Sequence, residues 1–215
     1  MSRGNLVRSK LQEVVSHQSK PYVRIQSLPV RVKVYQADLQ IGLSRSQMVN
    51  SRMKPGEFLT NMEIAIAETY RNDRDLIGLR VNERALAHRF ALYMEPLFKG
   101  WNIDCEYNRY GDELGPKTLS GIEGCERRKE TDWIVPDILI HKRRSKDKEN
   151  LAVFEIKSES ALDNCDRLKL KGMTSQSGRF KYEYGIGVEF RNDSCRKILF
   201  TDGTPRREFA SQSFG

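Results

Sequence analysis

Trp133-Ile134-Val135-Pro136-Asp137-Ile138-Leu139-Ile140 and Leu151-Ala152-Val153-Phe154-Glu155-Ile156-Lys157 decide the fold. Both are short, nearly continuous apolar runs rich in β-branched residues, the pattern of strands buried on both faces. His141 to Asn150, between them, is mostly charged and too costly to bury. It therefore reads as a solvent loop closing an antiparallel hairpin. That hairpin sets Asp137 opposite Phe154 or Glu155. Side chains alternate along a strand, so Glu155 and Lys157 share one face, and Asp137 joins them if the register allows.

Asp137, Glu155 and Lys157 are ionisable groups inside apolar strands, where a charge is costly unless paired or bound to metal. Two carboxylates suit a hard cation such as Mg²⁺, which takes oxygen ligands and keeps water and phosphate oxygens in its shell. Such an ion activates water and neutralises charge on phosphate. A lysine two residues along the strand orients that water or stabilises the transition-state charge. The competing reading is a buried Glu155–Lys157 or Asp137–Lys157 ion pair with no chemistry.

Pro136-Asp137 and Glu155-Ile156-Lys157 resemble the signature of the PD-(D/E)xK nuclease superfamily, whose fold is restriction-endonuclease-like. Val135 to Arg143 and Leu151 to Lys157 are similar to the corresponding words of bacterial and phage-associated members. The resemblance covers residues 79 to 203. It implies an α/β (α+β) fold with a mixed central sheet flanked by helices, Mg²⁺ or Mn²⁺ as cofactor, and hydrolysis of nucleic-acid phosphodiesters. On the family's usual substrates DNA is favoured over RNA, and an endonuclease is the leading form. Asp137 and Glu155 are then the metal ligands, with the Ile156 carbonyl as a further ligand, and Lys157 acts on the attacking water.

Asn82 to Leu97 carries an apolar stripe of Leu86, Phe90, Tyr93, Met94 and Leu97, with Asn82 as N-cap. Glu83 lies in the first turn, where the helix dipole favours a carboxylate, and on the stripe that faces the core. It is the candidate third carboxylate, and the resemblance agrees, since many members carry a Glu on the helix before the first strand. The alternative is a charge that only stabilises the helix. His88, five residues further, is about 140° round the helix and poorly placed to share a metal with Glu83. His141 is expected to end its strand facing water.

Residues 57–70 form a second helical pattern, ended by Arg71 to Asp75, and 101–109 read as the first core strand. Gly111 to Thr131 is a long polar loop, a kind often functional. A helix over Asp163 to Lys171 carries Asp166 and Lys169 among its polar residues, with Lys169 and Lys171 as phosphate contacts or solvated charges. Residues 182–190 and 197–200 supply two more strands. The organisation expected is a basic extension over 1–55, β-rich or partly flexible, a nuclease domain over 56–203, and a loose tail over 204–215.

Of the net charge of +8, residues 1–60 hold +7, with 10 Lys and Arg against Glu13, Asp38 and Glu57. Such a segment attracts nucleic-acid backbone, or docks a protein partner or a second copy of the chain. No apolar stretch reaches membrane-span length and no signal-peptide core follows Met1, so a cytoplasmic protein without membrane contact is expected. Cys105, Cys125, Cys165 and Cys195 are scattered without zinc-finger spacing, which favours reduced thiols over disulfides or a zinc site. The second function class is a nucleic-acid-binding module, or a partner-gated subunit of a defence or replication complex, that keeps the fold with little activity alone.

Overall fold

The computed structural model describes residues 53–79, 82–109, 125, 134–143 and 149–210, all within one compact unit. The basic extension up to residue 52, the 111–131 loop except Cys125, and residues 211–215 lie outside the described residues.

A six-stranded mixed sheet forms the centre, in the spatial order of the sequence: β1 (Asn102–Cys105), β2 (Ile138–His141), β3 (Asn150–Ser158), β4 (Tyr184–Phe190), β5 (Cys195–Thr201) and β6 (Thr204–Ala210). Neighbours are antiparallel except β3 and β4, which are parallel. A parallel pair needs a crossover, and α3 (Asn164–Thr174) supplies it. The helices α1 (Pro55–Gly78) and α2 (Glu83–Met94) precede the sheet.

Alternation sends the two faces of the sheet to two cores. Ile138, Ile140, Phe154, Ile156, Ile186 and Val188 pack with Phe58, Ile66, Leu86 and Phe90 of α1 and α2. Leu139, Val153, Ile198 and Phe200 pack with Leu170 and Met173 of α3. Strands β2 and β3 are therefore buried on both faces, as their apolar runs predict, but β2 starts at Ile138 rather than at Trp133, and Val135 is exposed.

Helix α2 starts where expected: the Asn82 side chain accepts from Arg84 N at 2.9 Å. Helix α1 runs past its expected end to Gly78, with a non-helical residue at Asp73. The Asp73 carboxylate accepts from Arg89 Nε at 2.9 Å and from the Tyr93 hydroxyl at 2.5 Å. Contacts with α2 thus anchor the kink, and buried Ile77 secures the last turn.

Three expectations are corrected. Residues 204–210, expected in a loose tail, form β6 on the sheet edge, where Arg196 ties β5 to Glu208. His141 does not face water. It is buried, and its Nε2 lies 2.9 Å from Asp104 Oδ2 on β1, with Arg143 bound to the same carboxylate. Cys125 and Cys165 are disulfide-bonded, with Cα atoms 4.8 Å apart, because the fold brings residues 40 positions apart into bonding range.

Candidate metal and phosphate site

The site forms on the α3 face of the sheet where β2 begins and β3 ends. Ile138 pairs with Phe154, so Asp137, one residue earlier, stands beside Glu155. Its Oδ2 accepts from Ile156 N at 2.6 Å, which fixes the carboxylate against β3. Glu155 and Lys157 follow on the face that also carries Val153. Asp137, Glu155 and Lys157 are therefore brought together, and Ile156 enters through its backbone.

Glu155 is 1% exposed. Its Oε2 is ion-paired with Lys169, while its Oε1 is buried and has no hydrogen-bond partner among the described residues. Burial pushes its carboxyl well above the usual carboxylate range. Lys169 pulls against that shift and the neighbouring Asp137 adds to it. Burial also raises Asp137, opposed by the Ile156 N–H and by Lys169 and Lys157.

Lys157 is 6% exposed. Burial disfavours its charge, but Asp166, 3.0 Å from its Nζ, and Glu83, 3.2 Å away, outweigh that and raise its pKa. Lys157 thus stands in the site as an ammonium. Glu83 extends from the first turn of α2 to Lys157 and accepts from Ser160 Oγ at 3.4 Å. This contact accounts for its place on the inward stripe. His88, on the same helix, is exposed.

Helix α3 contributes two residues that the local pattern did not single out as a pair. Asp163 caps the helix by accepting from Asp166 N at 2.9 Å, and Asp166 returns the bond by accepting from Asp163 N at 3.1 Å. This capping box turns the Asp166 side chain toward the sheet, where it lies near both Lys157 and Lys169. The crossover comes this close because β4 is bare where Leu162, just before α3, and Thr174, at its end, pass over it. A Cβ on Gly187 would lie 1.9 Å from Leu162 Cδ1, and one on Gly185 would lie 2.8 Å from Thr174 Cγ2. Gly187 is the β4 partner of Glu155.

Four carboxylates (Glu83, Asp137, Glu155, Asp166) thus surround two ammonium groups (Lys157, Lys169). Among the described residues no three of His, Cys, Asp and Glu assemble as a metal-ligand group, and the lysines stand between the acids. A hard cation still fits the donor chemistry: two adjacent carboxylates, one with a buried oxygen unpartnered among the described residues, beside the Ile156 backbone.

Comparison with protein-family models, with curated proteins and with solved structures gives no match to this chain.

Proposed function

We propose that this chain is a metal-dependent nuclease of the PD-(D/E)xK superfamily, hydrolysing nucleic-acid phosphodiesters, with DNA as the favoured substrate and internal cleavage as the favoured mode. The observation that carries this is the pairing of Asp137 with Glu155 on one face of the sheet, with one Glu155 oxygen buried and unpartnered among the described residues. A buried carboxylate so poorly satisfied lowers stability, and such groups concentrate where function requires them. The antiparallel β1–β2–β3 meander, followed by α3 and parallel β4, supports a restriction-endonuclease-like core.

In this reading Asp137, Glu155 and the Ile156 carbonyl hold Mg²⁺ or Mn²⁺, with Glu83 as an outer carboxylate. The bound ion would acidify water and draw charge from the phosphate. Lys157, held as an ammonium by Asp166 and Glu83, donates hydrogen bonds to the attacking water or to the phosphate oxygens as their charge grows. The Ile156 N–H keeps Asp137 oriented toward the same space. The basic segment over residues 1–60 supplies attraction for the backbone, or docks a partner.

One observation favours the second reading, a nucleic-acid-binding or partner-gated subunit. Glu83, Glu155 and Asp166 each have a lysine partner, an arrangement that also neutralises buried charge without chemistry. Cleavage of circular single- and double-stranded DNA and of RNA, with Mg²⁺, Mn²⁺ or EDTA, separates the two. The nuclease reading predicts metal-dependent cutting, abolished by EDTA and reduced about 10²–10³-fold by Lys157→Ala, with Asp137→Ala inactive. Cutting that survives both substitutions, or binding without cutting on every substrate, overturns it.

A further inference from the structure

Lys169 lies outside the Pro-Asp and Glu-x-Lys words, yet it is the ion-pair partner of Glu155. Its side chain is 19% exposed over a carboxylate that is 1% exposed, so it stands between Glu155 and solvent. It is held there from one side by Asp166 Oδ1, 3.6 Å away, while Asp166 Oδ2 lies 3.0 Å from Lys157. One buried carboxylate thus keeps two ammonium groups side by side. The pair is not a closed structural salt bridge, because the other Glu155 oxygen has no partner among the described residues, and a buried pair is stabilising only when its remaining lone pairs are satisfied. The Lys197–Glu63 pair at 2.6 Å, on the opposite face of the sheet, offers a contrast: there the lysine is 1% exposed and further covered by the Phe209 ring.

We infer that Lys169 is a further functional residue of this site. It is a tethered cation that neutralises Glu155 in the metal-free protein, gives up that carboxylate to the divalent ion, and then binds a phosphate oxygen of the substrate beside Lys157. The inference rests on the nuclease reading above. It explains why the acids are interleaved with lysines, since a metal-free site lined by carboxylates alone would carry uncompensated buried charge. It also requires that metal and Lys169 compete for Glu155. Asp166 is then a positioning residue, acting through the two lysines.

Competition is measurable without turnover. Calorimetric titration of the full chain with Mn²⁺ alone should show Lys169→Met binding about tenfold more tightly than wild type, the scale of an ordinary coupling between two ligands, with Lys169→Arg close to wild type. At saturating Mn²⁺ the Met variant should nevertheless cleave at least about tenfold more slowly, with partial recovery in Lys169→Arg. Acetic-anhydride footprinting of wild type, read by mass spectrometry, needs no variant to fold: Mn²⁺ should increase modification of Lys169. Unchanged or weaker Mn²⁺ binding in Lys169→Met, or Lys169 labelling indifferent to Mn²⁺, overturns the inference while leaving the nuclease reading standing if wild type binds Mn²⁺ and cleaves. If wild type binds no Mn²⁺, both fail together.

Discussion

Asp137 shows how a single side chain can be costly to the fold and useful to the site. Burial raises its carboxyl, so the folded chain holds this proton to a higher pH than the unfolded chain, whose value is about 3.9. As pH rises through that window the unfolded state releases its proton first, and folding stability falls. Above that window the buried carboxyl is therefore a net cost. Asp137→Asn keeps an oxygen able to accept from Ile156 N and removes the charge. In EDTA at pH 7.5 its thermal midpoint should exceed that of wild type by a few degrees, the size of shift that about 1 kcal/mol produces in a domain this large. A lower midpoint would mean that the carboxylate is structural. Asp104 behaves in the opposite way. Burial would raise it, but Arg143 and His141 together hold it below its usual value. A lowered folded value adds stability that is present above about pH 4 and is lost as pH falls through the folded value. Asp104→Asn should thus destabilise at pH 7, with the gap to wild type closing in acid. Denaturant midpoints across pH test this, and a gap that does not narrow would contradict it.

At the scale of elements, the contact between α3 and the sheet decides whether the site exists, because Asp166 and Lys169 ride on α3. Gly187→Ala places a methyl against Leu162, a small-to-large change in a packed core that costs about 1–3 kcal/mol. It should lower stability and slow cleavage together, and Leu162→Val should recover part of both; an additive double mutant would show the two positions to be uncoupled. The sequence made some of these elements plain and hid others, for physical reasons. The hairpin was legible because both its strands are buried on both faces, so their apolar runs are unbroken. Helix α2 was legible from its cap at Asn82 and its stripe. Strand β6 was not: six of its seven residues are exposed, leaving no hydrophobic alternation to read, and its pairing comes wholly from β5. Local periodicity assigned Asp166 and Lys169 to the polar side of a helix, and only the crossover over Gly185 and Gly187 shows that this side faces Glu155 and Lys157. The partner of His141 is equally remote in sequence, 37 residues away on β1.

For the whole molecule, the sheet places three sources of charge control around one point: the Pro-Asp strand start, the Glu-x-Lys strand end, and the capped start of α3. The Cys125–Cys165 disulfide ties Cys125 to that same helix. Cysteine spacing does not define pairing without the fold, so the bond was invisible beforehand. No helix among the described residues is long and apolar enough to cross a membrane. The excess positive charge belongs to the first 60 residues, whereas the site itself carries more acids than lysines, so under the nuclease proposal attraction for the nucleic-acid backbone and cation binding fall to different parts of the chain.

The most direct measurement is calorimetric titration of the full chain with Mn²⁺, wild type beside Asp137→Asn, in the absence of nucleic acid. Wild type should bind saturably, and the substitution should weaken binding at least about tenfold, since even groups that merely support a metal ligand are worth that much. No binding by wild type, or equal binding by both proteins, would contradict the nuclease proposal.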